Sequence, residues 1–334
     1  MRGFLERRRY TKKQMEHEST TKYFTKEEGK ETTNGSFSQS EKDRTYNYKS
    51  GGIYKGAWKG GLRHGRGEMT WPDGARYDGD WSYNMAAGQG KFFHVGGDIY
   101  DGKWSNNKAN GYGTYMNTKG ARYEGHWKDD QQHGDGVENW AEGAKYEGKY
   151  VLGLKEGHGK YTYADGSVYD GEWMLNKIDG YGSQSWSDGK MYYGQWSEND
   201  MAGYGLYKYA DDVRYDGMFE NDKKQGYGIY KWTDGRKYEG WWYKGKQHGF
   251  GTYYSNKKNQ TVKYGLWEHG KRVKWFEGDD LDEARLGMNV DTLAEQFNDP
   301  VSAKHIPERA SFTKPSDWDE MIKTIRDTMD VPFE

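Results

Sequence analysis

Cysteine is absent from the 334 residues. That excludes disulfides, thiolate metal sites and a cysteine nucleophile, and it fits a reducing compartment. Aliphatic and phenylalanine side chains are scarce: Leu, Ile, Val and Phe together number 38, near 11% of the chain. Parallel α/β enzymes need near-continuous apolar strands, so this composition argues against one. No run of 18 or more apolar residues is present, so no helix is expected to cross a membrane. The basic start, MRGFLERRRYTKK, has no apolar core of a secretory signal. A large net charge is missing too, the formal value being −2.

What the chain does have is Tyr, Trp and Gly: 30, 15 and 48 residues. Disordered chains are poor in aromatics, so the chain is expected to fold around Tyr and Trp rather than around aliphatic side chains. Charge divides it into three stretches. Residues 1–50 carry net +4, residues 51–276 net +3 and residues 277–334 net −9. The aromatic and glycine residues concentrate in the middle stretch.

That middle stretch repeats with a period of 23. A Tyr-x-Gly step starts at Tyr54, Tyr77, Tyr100, Tyr123, Tyr146, Tyr169, Tyr192, Tyr215 and Tyr238. An aromatic follows two residues after each glycine, from Trp58 to Trp242, with Tyr150 and Phe219 as the two replacements for Trp. A Gly-x-Gly pair keeps the same phase from Gly65 to Gly249. A partial tenth unit, with Gly265 and Trp267, follows a two-residue insertion.

Each unit reads as a β-hairpin. Tyr123, Gly125 and Trp127 alternate along one strand and share one face, with polar residues between them. Gly-x-Gly is expected to open the second strand, and Asp-Gly pairs such as Asp73-Gly74 and Asp165-Gly166 to supply the positive φ of tight turns. A glycine in the aromatic row leaves room for a ring to lie on the backbone. One hairpin is marginal alone, so the repeats must stack. At two strands per repeat they would extend a sheet by about 10 Å each, on the order of 90–100 Å in all. The fold class expected is all-β, an elongated single-layer antiparallel sheet of stacked hairpins with a short helical C-terminal tail.

The units Tyr-x-Gly-x-Trp followed by His-Gly-x-Gly, as in GGIYKGAWKGGLRHGRG (51–67) and RKYEGWWYKGKQHGFG (236–251), resemble MORN repeats. Asp211-Asp212 in place of Asp-Gly and Lys263 in place of the tenth Tyr depart from the pattern. The domains expected are an extended or disordered basic arm (1–50), a MORN-repeat domain (51–276) of nine repeats and a degenerate tenth, and an acidic tail with short helices (277–334).

In the tail, Asp291 is a candidate cap for a helix through Val290, Leu293, Ala294 and Phe297. A better helix starts at Ser316, after Pro315, with Asp317, Asp319 and Glu320 in its first turn. Its residues Trp318, Met321, Ile322, Ile325 and Met329 fall on one face. That face either docks on the chain's own sheet or binds a partner. Arg7, Arg8 and Arg9 form the basic point of an N-terminal arm, a second candidate for partner binding.

Chemistry of other kinds finds little support. The Gly-x-Gly pairs do not extend to a nucleotide-binding fingerprint. His64, His133 and His248 recur three and five repeats apart, too far for a shared metal. Asp78, Asp101, Glu124, Glu147 and Asp170 form an acidic ladder expected to be solvated. A nearly neutral repeat region argues against nucleic-acid binding. No catalytic residue, cofactor or metal is expected.

The resemblance implies a non-catalytic scaffold of a cytoskeletal assembly. MORN subunits of ciliary radial-spoke heads are the most similar kind, which implies axonemal protein partners and a place in the cytoplasm, the cytoskeleton and the ciliary axoneme. Homodimerisation through a sheet edge is left open. The alternative is a membrane- or phosphoinositide-binding module, with Lys223-Lys224 and Lys257-Lys258 as lysine-rich turns meeting headgroups. The 58 residues after 276 are too few for the kinase or methyltransferase domains that some family members carry.

Overall fold

The computed structural model describes residues 22–24, 40–256, 261–285 and 317–328. Among these are twenty-one strands in one antiparallel open sheet, from β1 (Ser40–Asn47) to β21 (Lys271–Phe276). Two helices follow, α1 (Asp279–Arg285) and α2 (Trp318–Thr328). The all-β expectation holds. The chain divides into two compact units, residues 1–164 with 173–176 and residues 165–172 with 177–334. Within each unit, strands adjacent in sequence pair with one another.

One repeat shows why this sequence folds so. Strand β8 (Arg122–Lys128) buries Tyr123, Gly125 and Trp127 and turns the residues between them outward. A two-residue turn at Asp129-Asp130 follows, with φ of 49° and 68°. Both values are left-handed, so the turn matches the twist of the strands it joins. Strand β9 (Gln131–Asn139) comes next. The Gly-x-Gly pair therefore lies within the second strand and does not open it, which corrects the sequence reading. Gly134 has φ of 69° and sits where the register slips: Gly125 faces Gly136, but Trp127 faces Gln132. It is the bulge that glycine permits. A four-residue turn, Trp140 to Gly143, then leads on, closed by Gly143 N donating to the Trp140 carbonyl.

The two-residue turns escaped the sequence reading because they share no fixed dipeptide. Asn106-Asn107, Leu152-Gly153 and Glu198-Asn199 all serve. What recurs is an Asn, Asp or Gly at the second position, and the Asn or Asp side chain reaches back one repeat. Asn107 accepts from Ala86 N at 2.7 Å, Asp130 from Ala109 N at 2.7 Å and Asn199 from Ile178 N at 2.9 Å. Neighbouring hairpins are thus clasped by polar bonds as well as by the ladder.

The core is a row of Tyr and Trp. Tyr100 stands edge-on between Trp104 of its own repeat and Trp127 of the next, each ring centroid 5.2 Å away. Such T-shaped pairs add about 0.5–1.5 kcal/mol beyond area burial. The polar tips of the repeat Tyr and Trp find backbone partners. Tyr123 Oη donates to the His126 carbonyl at 2.9 Å, and Trp127 Nε1 to the Gly113 carbonyl at 3.1 Å. The Tyr123 ring lies on the glycine pair: a Cβ at Gly125 or Gly136 would meet its hydroxyl closer than 3.0 Å. A sheet this poor in Leu and Ile is held by rings packed on bare backbone.

The sheet also starts earlier than the repeat pattern. Strand β1 pairs with β2 (Ile53–Lys59) and falls in the stretch read as an arm.

Candidate functional site

The sheet has two faces, and both carry segments of the chain from outside the repeats. On the first face, the one bearing the Tyr/Trp ladder, the segment 22–24 is seated in the first unit. Tyr23 is buried, and its hydroxyl donates to Asp73 Oδ2 at 3.0 Å. The Phe24 ring lies 5.4 Å from Trp71, 5.7 Å from Tyr77 and 5.7 Å from Trp104. Sequence reading missed this contact, because Tyr23-Phe24 is one aromatic pair in a polar stretch without periodicity.

Beneath the same ladder, one repeat position holds a base three times. The Arg63 guanidinium lies 4.3 Å from the Trp81 ring centroid, with Nη2 donating to the Asn84 carbonyl at 3.1 Å. Lys155 pairs with Glu138 at 3.6 Å, both almost fully buried. Burial holds the Lys155 ammonium below its ordinary range while Glu138 opposes that shift, and Tyr150, which donates to Glu138 at 2.7 Å, is pushed up. The Lys224 ammonium lies 4.5 Å from the Trp242 centroid and 4.6 Å from that of Tyr230 and donates to Tyr209 Oη at 3.2 Å. Burial pushes it down to about 8. Lys224 therefore sits under rings within strand β17 (Lys223–Lys231), not in a turn facing a headgroup. Lys257-Lys258 lie outside the described residues.

The second face differs between the units. In the first unit it carries ion pairs: Arg66 with Asp78 at 2.8 Å, Lys91 with Asp101 at 3.3 Å, Lys145 with Glu147 at 2.9 Å. These pairs are substantially exposed, and such contacts contribute about 0–1 kcal/mol each. In the second unit several outward positions turn apolar, though Lys231 still pairs with Asp216 at 3.1 Å and Lys237 with Glu239 at 2.8 Å. Tyr193, Tyr204, Leu206 and Tyr227 form a buried cluster there, with Met218, Ile229 and Trp241 against it.

Helix α2 covers that cluster. Trp318 is 4% and Ile325 1% exposed, and Met321 and Ile322 pack partly buried beside them. The Trp318 ring stands edge-on to Tyr204 and Tyr227, 5.1 Å from each. Of the two readings of this helix, docking on its own sheet is the one seen. It spans Trp318–Thr328, with Met321 N donating to the Asp317 carbonyl at 3.0 Å, and Ser316 lies outside the described residues. Helix α1 likewise lays Ala284 and Leu281 on Phe250, Leu266 and Phe276. Arg7, Arg8, Arg9, Met329 and the helix proposed after Asp291 lie outside the described residues.

The signal for the apolar patch was present in the sequence. Between the signature residues, Tyr193 interrupts the acidic series Asp78, Asp101, Glu124, Glu147, Asp170, Asp216 and Glu239, and Asp135 and His158 give way to Tyr181, Tyr204, Tyr227 and Phe250. Two of the three recurring histidines hold turns: His133 Nδ1 accepts from Leu152 N at 3.4 Å and His248 Nδ1 from His269 N at 3.3 Å. Among the described residues no group of three or more His, Asp and Glu is placed to hold a metal ion.

The family model described as MORN repeat matches nine consecutive stretches, from residues 54–76 to 238–260. The matched stretches make up more than half of the chain, which belongs to the MORN-repeat family. It is a family of repeats used as binding and scaffold modules, not one of catalytic domains. No curated protein matches the chain. Among solved structures the chain is similar to the wild-type TCP10 domain of Danio rerio CPAP, at 11% identity over 63% of this chain and 99% of that one, with a TM-score of 0.34. It is also similar to the SAS-4 (dCPAP) TCP domain of Drosophila melanogaster, solved with a proline-rich motif of Ana2, at 11% identity over 58% and 87%, with a TM-score of 0.26. Likenesses this remote carry no argument about function.

Proposed function

We propose that this MORN-repeat chain is a non-catalytic scaffold of a cytoskeletal assembly, and that the assembly is a ciliary axoneme, with the radial-spoke head as its place. The observation that carries the scaffold reading is that both faces of the sheet hold non-repeat segments: Tyr23 and Phe24 on the ladder, Trp318 and Ile325 on the opposite face of the second unit. A surface that binds an aromatic turn and a helix of its own chain has the chemistry to bind such segments of other subunits. The axonemal placement is supported by the resemblance of the repeat units to those of radial-spoke MORN subunits. Its partners are then other axonemal proteins.

Fractionation of the source cells with non-ionic detergent and then salt tests this. The chain is expected to stay in the insoluble cytoskeleton and leave with salt, co-eluting with axonemal subunits. Release by detergent alone would replace the scaffold reading with the membrane one.

A further inference from the structure

A three-ring cradle recurs along the ladder face, as at Trp140, Tyr161 and Trp173, and two of its copies bear comparison. In the first unit, Trp71, Phe92 and Trp104 surround Phe24. Seven repeats later the corresponding positions are Trp232, Tyr253 and, past the two-residue insertion, Trp267. These three line a cavity of about 500 Å³ in the second unit. Trp275 closes one side of it, edge-on to Trp267 with centroids 5.5 Å apart.

The two cradles differ in charge. Beside Phe24, Asp73 is open to the Tyr23 hydroxyl. Its counterpart Asp234 is taken by Arg236 at 2.7 Å. The second cradle instead has Lys263 and Arg272 on its wall, both exposed, their charged groups 5.5 Å and 4.6 Å from the Trp275 centroid. Among the described residues neither is ion-paired with a carboxylate. The cavity thus joins an aromatic floor to a cationic rim.

We propose that this cavity is a socket for an aromatic side chain of a partner protein, borne on a segment whose neighbouring residues are Asp or Glu. The filled cradle around Phe24 supplies the precedent for the ring. The rim supplies the complement for the acids, which steer encounter and select the partner. A second copy's Tyr23-Phe24 fits poorly, because Lys22 precedes it and residues 1–50 carry net +4. The socket rests on the scaffold reading only in taking its occupant to be a protein.

The test uses the full chain and a labelled peptide, Glu-Asp-Phe-Glu-Asp, followed by fluorescence anisotropy. Replacing its Phe by Ala, or its acids by Lys, is expected to weaken binding about tenfold or more. The double substitution Lys263→Glu/Arg272→Glu is expected to do the same while thermal unfolding stays unchanged, since both side chains are exposed. Trp275→Ala should also abolish binding, but the charge reversal decides if that variant misfolds. Equal binding of the Ala peptide, or indifference to the charge reversal, overturns the proposal. Tighter binding of a peptide of residues 18–28 also overturns it and makes a second copy the occupant. Cytoskeletal retention without peptide binding sinks the socket alone; peptide binding with detergent release sinks the scaffold reading alone.

Discussion

The Lys155 ammonium and the Glu138 carboxylate meet 3.6 Å apart beneath the aromatic ladder, with side chains 3% and 1% exposed. They occupy positions that adjacent repeats fill without charge: Tyr115 and Tyr161 correspond to Glu138, and Ile178 to Lys155. Removing one partner strands the other in a dry site. Glu138→Gln is expected to destabilise the chain by about 3–5 kcal/mol. The double variant Glu138→Tyr/Lys155→Ile, which copies the neighbours, is expected to be neutral or more stable by about 1–4 kcal/mol. Urea midpoints of the three proteins check this.

Lys224 gives a pH dependence of definite sign. Its folded value near 8 is depressed from 10.5 by burial. The unfolded chain therefore binds more protons in between, and stability rises with pH from about 8 to 10. Above about 10 the unfolded tyrosines begin to ionise while buried ones such as Tyr77 and Tyr100 do not, so stability then falls. Lys224→Met is expected to flatten the rise and to stabilise the protein at pH 7. Urea unfolding of both proteins at pH 7, 8, 9 and 10 would show it, and an unchanged slope in the variant would refute it.

Trp318→Ala removes the ring held between Tyr204 and Tyr227. Truncating a buried Trp costs about 3–5 kcal/mol, more than one short helix on one side of a sheet can absorb. Hydrogen exchange of α2 amides is expected to become fast, while strands β2 to β9 keep their protection. Binding of an external aromatic helix to the uncovered patch would follow. Slow exchange in α2 would mean that Ile325 alone anchors the helix.

The repeat itself was legible in the residues. Tyr, Gly and Trp in strict phase specify a strand with one aromatic face, because alternation in a strand leaves those side chains nowhere else to point. The helical tail was legible from Trp318, Met321, Ile322 and Ile325 for the corresponding reason. The two-residue turns were not, since left-handed φ is adopted there by Tyr83-Asn84 as readily as by Gly60-Gly61. Nor was the buried Glu138–Lys155 pair, whose two residues look like any other charges on an open sheet.

The sequence alone thus determined the period, the strand faces and the ring core, because these rest on local alternation and on repetition. Only the tertiary structure decided which segments cover which face. Phe24 finds Trp71 and Trp104 across long stretches of chain, and Trp318 finds Tyr204 and Tyr227. Such contacts depend on packing complementarity between distant segments, which no periodicity encodes.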